Sequence, residues 1–152
     1  MKSPYRELIR PWADRYLLDP VLVEALIEQE SRGRAHAYRY EPAYWMRYCA
    51  STPRFANEEP ERWAASYGLM QVMPLTAEQF GWSGAPEELF SIPVNLENGC
   101  RILRAYIDAA GSVARGLAAY NGGLGGVERE NPKYYAASVL RRYATLKATH
   151  EA

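Results

Sequence analysis

The chain is 152 residues long and carries 18 basic and 18 acidic side chains, for a formal net charge of zero. That length suits one domain with one core, read here as residues 1–152, and the balanced charge excludes the basic surface that nucleic-acid binding requires. Two cysteines, Cys49 and Cys100, are too few for a disulfide framework and lack zinc-site spacing, so two buried free thiols are expected, with no metal or other cofactor.

Residues from Pro4 to Leu18 alternate apolar and charged positions at a helical period, and Pro11 is expected to interrupt that run or open a second short helix. Asp19-Pro20 is a start signal, an N-cap followed by proline at the first helical position. The helix it opens runs to about Ser31, and Gly33 ends it. From Ala35 to Trp63 the pattern is irregular. Pro42, Pro53 and Pro60 punctuate a stretch rich in aromatics (Tyr38, Tyr40, Tyr44, Trp45, Tyr48, Phe55), which reads as a long, partly helical excursion over the surface. Pro74 opens a helix ending near Gly81. Pro93 to Ala110 forms a long amphipathic helix stopped by Gly111, and Ser112 caps another to about Tyr120. Asn121 to Gly126 reads as a loop with four glycines, and Asn131-Pro132 opens a last helix to about Lys147. The fold class is mainly α, with at most a short β-hairpin between Ala35 and Met73. No stretch approaches the roughly 18 apolar residues that span a bilayer, so membrane insertion is not expected. The N-terminal MKSPYRELIRPWADRYLL lacks the apolar run of an export signal, which implies a chain made in the cytoplasm.

On the helix from Pro20 to Ser31, at about 100° per residue, Leu22, Val23, Leu26 and Ile27 share one arc. Glu30 projects into that arc, stacked over Leu26 and Ile27, while Glu24 and Glu28 fall on the other side, where solvent is expected. Helix geometry leaves two readings of Glu30 open. It closes the helix edge in a salt bridge to Arg32 or Arg34, or its partial burial raises its pKa so that it holds a proton near neutral pH. The second is what a general acid needs to protonate a glycosidic oxygen. Twelve tyrosines and four tryptophans supply flat rings of the kind that stack on sugars, although core packing accounts for most of them.

Glu30-Ser31 ends its helix, Gly68-Leu69-Met70-Gln71 follows the aromatic excursion, and Ala119-Tyr120-Asn121-Gly122-Gly123 comes much later. Tyr135 to Tyr143 (YAASVLRRY) closes the series. This ordered set resembles the soluble lytic transglycosylase domain, whose fold is shared with goose-type lysozyme. The likeness runs from about Leu22 to Tyr143. Each motif is short, and the specificity lies in their order. The resemblance implies a lysozyme-like helical domain and assigns roles by position. Glu30 is the catalytic acid and base. Ser31 hydrogen-bonds near the substrate or orients the carboxyl. Gly68 permits close approach of a glycan, and Met70 and Gln71 line the groove floor. Tyr120 hydrogen-bonds toward the carboxyl or the sugar, Asn121 contacts sugar, and Tyr135 lies at the back of the site within reach of Glu30. Packing readings stand beside these, with Leu69 and Met70 as core and Gly122 and Gly123 as a helix stop. The chain departs from the family pattern twice. The segment between Ser31 and Tyr67 is longer than in a compact member, and its Arg39-Tyr40-Glu41-Pro42 resembles a variant of phage-associated members. Asn131 stands where the family often has a Glu, four residues before its final Tyr.

The resemblance implies cleavage of the β-1,4 bond between N-acetylmuramic acid and N-acetylglucosamine in peptidoglycan glycan strands, leaving a 1,6-anhydromuramyl end. The alternative is hydrolysis by a muramidase with Glu41 as second carboxylate, against which stands a plain ion pair of Glu41 with Arg39 or Arg47. A third reading is an inactive glycan-binding module of a virion or assembly, although such a degenerate copy is expected to lose Glu30 or Gln71, and both are present. A wall-cleaving enzyme without an export signal is expected to reach the periplasm and cell wall in a phage particle or through a secretion apparatus, whose tail or secretion proteins are then its partners.

Overall fold

The computed structural model describes residues 4–151. Its elements follow as α1 (Arg6–Arg15), α2 (Pro20–Ser31), β1 (Tyr38–Tyr40), α3 (Pro42–Tyr48), α4 (Pro60–Trp63), β2 (Ala65–Tyr67), α5 (Pro74–Gln79), α6 (Ile92–Ala110), α7 (Val113–Gly122) and α8 (Glu130–Glu151). Short 3-10 turns lie at Pro53–Phe55, Pro86–Phe90 and Leu124–Gly126. Proline opens α2, α3, α4 and α5, where its fixed φ is pre-set and its missing N–H forfeits no helical bond. Asp19 caps α2 by accepting from the Val21 N–H at 2.9 Å, and Ser112 caps α7 by accepting from the Arg115 N–H at 3.1 Å. The class is mainly α. The strands pair antiparallel with Tyr38 opposite Tyr67, Arg39 opposite Ser66 and Tyr40 opposite Ala65. This small antiparallel pair lies within the Ala35–Met73 stretch where the sequence allows one, and the proline-opened helices α3 and α4 form the connection between its strands.

The chain divides into two units, one made of the segments before Arg34 and from Cys100 onward, the other of Arg34–Gly99. In the first unit α8 packs against α2 and α7, and α1 packs against α2. Ile9, Ala13, Val23, Leu26, Leu117 and Val139 are among its buried side chains. Pro11 lies inside α1 without ending it. It deprives the Glu7 carbonyl of a helical partner, but it does so on the exposed side of the helix, where Glu7 and Pro11 both lie, while the opposite face buries Ile9 and Ala13.

Glu24 corrects the amphipathic reading of α2. It is only 4% exposed, and the Arg6 guanidinium donates to both its carboxylate oxygens, at 2.9 and 3.1 Å. Packing of α1 covers a second side of α2, so Val21 through Ile27 are all buried, and the bidentate geometry compensates the charge that burial would otherwise strand. Glu28 stays partly exposed, as expected.

In the second unit the aromatics of the excursion pack mainly on one another. Phe55 meets Trp45 and Trp63 at ring-centroid distances of 5.8 and 5.7 Å, and Tyr67 meets Phe90 edge-on at 4.9 Å. Cys49 and Cys100 are both free and buried. Among the described residues no helix is long and apolar enough to cross a membrane.

Candidate active site

Glu30 sits in the last turn of α2, half-buried. The helix stops at Ser31 because Arg32 turns left-handed (φ 54°), one residue before the glycine expected to end it, and Gly33 continues the turn (φ 76°). Across from this turn, α8 presents Tyr135, whose hydroxyl donates to Glu30 Oε1 at 2.6 Å. Burial holds the Tyr135 hydroxyl well above its ordinary pKa of 10.0, and the negative charge of Glu30 adds to the shift. Tyr120, near the end of α7, is raised in the same way, by burial first and then by Glu30. Both phenols therefore keep their protons throughout the neutral range.

The remaining predicted residues of this unit fall differently. Ser31 is 1% exposed and its hydroxyl donates to the Ile27 carbonyl at 3.1 Å. That burial leaves little surface for a sugar, and the bond ties the Ser31 side chain to its own helix beside Glu30. Asn121 is exposed. It lies inside α7, which runs on through Gly122, so the glycine loop is shorter than expected and starts at Gly123, whose N–H donates to the Ala119 carbonyl at 2.7 Å. Gly122 has a packing reason to be glycine, since a Cβ there would lie 2.5 Å from Pro132 Cγ in the first turn of α8.

In the second unit, Gly68 to Gln71 form a loop whose flanking residues Tyr67 and Val72 exchange two backbone bonds of 3.0 Å. Its organiser is Asn95 of α6, wholly buried, which sequence reasoning missed. Asn95 Oδ1 accepts from the Met70 N–H at 2.8 Å, and Nδ2 donates to the carbonyls of Tyr67 and Leu89, each at 2.7 Å. Gly68 lies at φ +73°, and a Cβ on it would sit 2.5 Å from Asn95 Nδ2. The protein atoms for which this glycine makes room are those of Asn95 and the Leu89 carbonyl. Met70 is 0% exposed and its side chain packs against Gly99, which corrects its expected place on a groove floor to the core. Gln71 is half-buried and left-handed (φ 50°), and its amide donates to the carbonyls of Ala37 and Gly68 at 3.1 and 3.0 Å. The signal that would have found Asn95 was available: it shares a helical stripe with Gly99, Ile102 and Leu103, a polar residue on an apolar face. Glu41, the candidate second carboxylate, lies 3.2 Å from Arg39 Nε in an ion pair on the surface.

Among the described residues no three His, Cys, Asp or Glu side chains gather as a metal site. The arrangement around Glu30 suits proton transfer in either direction. A phenol hydroxyl donates to a carboxylate and accepts from a carboxylic acid, so Tyr135 can hold Glu30 in both protonation states.

A family model described as the transglycosylase SLT domain matches residues 7–139. A transglycosylase of Enterobacteria phage PRD1 is 29% identical over 117 residues, covering 77% of this chain and 34% of that protein. Among solved structures, an inactive mutant of the lytic transglycosylase Slt from Pseudomonas aeruginosa superposes with a TM-score of 0.71 at 19% identity, over 99% of this chain and 25% of that one. The 70 kDa soluble lytic transglycosylase of Escherichia coli gives 0.73 at 18% identity, over 98% and 25%. The chain thus spans about a third of the phage protein's length and a quarter of each solved chain. At these identities the structural likeness establishes the fold.

Proposed function

Because this chain belongs to the transglycosylase SLT domain family, we propose that it cleaves peptidoglycan glycan strands as a lytic transglycosylase, with Glu30 as its one acid and base. The observation that carries the reading is the half-buried Glu30 carboxyl held at 2.6 Å by the neutral Tyr135 hydroxyl, with Tyr120 in the same electrostatic neighbourhood.

In this mechanism the protonated Glu30 donates to the oxygen joining C1 of N-acetylmuramic acid to N-acetylglucosamine, and the C1–O bond breaks. The acetamido oxygen of the same sugar stabilises the cationic C1. Glu30, now a carboxylate, takes the proton of the C6 hydroxyl as that oxygen bonds to C1. A 1,6-anhydro end results, no water is consumed and the proton returns to Glu30. Tyr135 holds the carboxyl through both transfers, and Asn121, exposed beside Tyr120, is the nearby group free to meet a sugar. Hydrolysis through Glu41 finds less support, because that carboxylate is occupied by Arg39. The identity to a phage transglycosylase supports delivery in a phage particle, with the enzyme made in the cytoplasm, carried to the cell wall and acting there beside virion proteins.

The test is turbidity clearing of purified sacculi followed by mass spectrometry. Wild-type protein is expected to clear them and release anhydro ends. Glu30→Gln is expected to lose roughly 100- to 10,000-fold of the rate, the range of a positioned general acid. Clearing at the wild-type rate by Glu30→Gln refutes the acid assignment, and reducing ends in place of anhydro ends refute the lyase chemistry.

A further inference from the structure

Three consecutive residues at the end of α2 are each bonded to α8. Glu28 Oε1 accepts from Arg142 Nη1 at 2.7 Å. Gln29 Oε1 accepts from both the Ser138 hydroxyl at 2.6 Å and Arg142 Nε at 2.9 Å. Glu30 accepts from Tyr135. The donors at 135, 138 and 142 are spaced i, i+3, i+7 and so form a single stripe on α8. Helix ends fray because their last carbonyls lack helical partners, and α2 ends one residue after Glu30. The acid therefore sits on a turn that its own helix holds weakly and that α8 holds by a polar clamp.

We infer that Arg142, acting with Ser138 through Gln29, is a positioning residue that sets the Glu30–Tyr135 geometry. This rests on the reading of Glu30 as the acid. Mere stability is a poor account of the clamp. The side chains of Arg142 and Glu28 are 37% and 45% exposed and line an open cavity of about 280 Å³, where an ion pair contributes little. The same exposure means that removing Arg142 leaves Glu28 hydrated rather than stranded, so the variant folds. What is lost is the fork of Nε and Nη1 that grips two adjacent residues of α2 at once, a geometry that lysine, with its single ammonium, reproduces only in part.

The experiment is a double-mutant cycle on soluble, uncrosslinked peptidoglycan strands, reading kcat, KM and melting temperature for wild type, Arg142→Met, Arg142→Lys, Tyr135→Phe and Arg142→Met with Tyr135→Phe. Arg142→Met is expected to lower kcat roughly 10- to 100-fold, as a misplacement of about 1 Å does, with KM within about 2-fold and melting near wild type. Arg142→Lys is expected to recover part of the loss. In the Tyr135→Phe background the further loss from Arg142→Met is expected to shrink below about 2-fold, since the geometry it protects is already gone. The same fold-loss in both backgrounds, or a loss that follows a fall in melting temperature, overturns the inference. If Glu30→Gln stays active, the acid assignment and this inference fall together. If Glu30→Gln is dead and the cycle is additive, only the positioning role falls.

Discussion

Replacing Asn95 with leucine isolates what a buried amide contributes to this fold. The two side chains share the same heavy-atom branching at Cγ and leucine is the larger, so no cavity is left behind, some crowding is added, and the cost is mainly polar. Three buried contacts vanish: Met70 N–H to Oδ1, and Nδ2 to the carbonyls of Tyr67 and Leu89. The Tyr67 carbonyl keeps a second partner, the Val72 N–H at 3.0 Å, so its loss counts least. The Met70 N–H loses the acceptor it meets at 2.8 Å, Asn95 Oδ1. At about 1 to 3 kcal/mol for each of the other two buried bonds lost, the sum is about 2 to 6 kcal/mol. For a chain of this size that corresponds to a fall in melting temperature of about 10 °C. Urea denaturation and thermal melting of Asn95→Leu measure it directly. A loss under about 1 kcal/mol would refute the claim that Asn95 organises the Gly68–Gln71 loop. A second arm sharpens the test. Gly68→Ala drives a Cβ to 2.5 Å from Asn95 Nδ2 at φ +73°, whereas in an Asn95→Ala background that clash is relieved and the cost falls to the backbone strain of about 1 kcal/mol plus a tight 3.0 Å contact with the Leu89 carbonyl oxygen. Additive costs would show that the two residues do not meet.

Alkaline stability should fall in a way traceable to one thiol. Burial pushes Cys100 up to about 12 from its ordinary 9.0, and it is 0% exposed. A folded-state pKa above the unfolded one means stability that is complete below pH 9 and drains as pH rises toward 12, at about 1.4 kcal/mol per pH unit. Urea midpoints measured from pH 8 to 11 should show a slope that Cys100→Ala reduces by one proton, and an unchanged slope would contradict the assignment. Tyr120 and Tyr135, also raised by burial, steepen the decline above pH 10, and Tyr135→Phe should remove one further proton from it. Arg6→Ala removes both guanidinium bonds from the buried Glu24 carboxylate and should cost about 3 to 5 kcal/mol in urea unfolding, whereas replacing both residues by apolar ones of similar size should recover most of that loss. Similar values for the single and double variants would refute this.

The helix starts were legible because they depend on local chemistry. Pro20, Pro42, Pro60 and Pro74 begin helices, and Asp19 and Ser112 cap them, for reasons confined to a few residues of chain. Pro11 was misjudged because breaking a helix depends on whether the freed carbonyl meets water, which is a question of exposure. Glu24 was misjudged because the helical wheel sees one covered face, and the docking of α1 gave α2 a second. Met70 lies in the core because Gly99 leaves room for its side chain, and Gly68 abuts Asn95, contacts with α6 that the short motif leaves blank.

The residues of this chain by themselves determine a mainly helical protein with its element order, its family and a single carboxyl at a helix end as the place to look. Those follow from periodicity, capping and motif order, each a property of neighbours along the backbone. That Tyr135, more than a hundred residues on, delivers its hydroxyl to Glu30, and that Ser138 and Arg142 grip the residues before it, was decided only when α8 packed antiparallel along α2. Distances of a few ångströms between groups so far apart in sequence are set by the burial of helix faces, which no stretch of chain encodes alone.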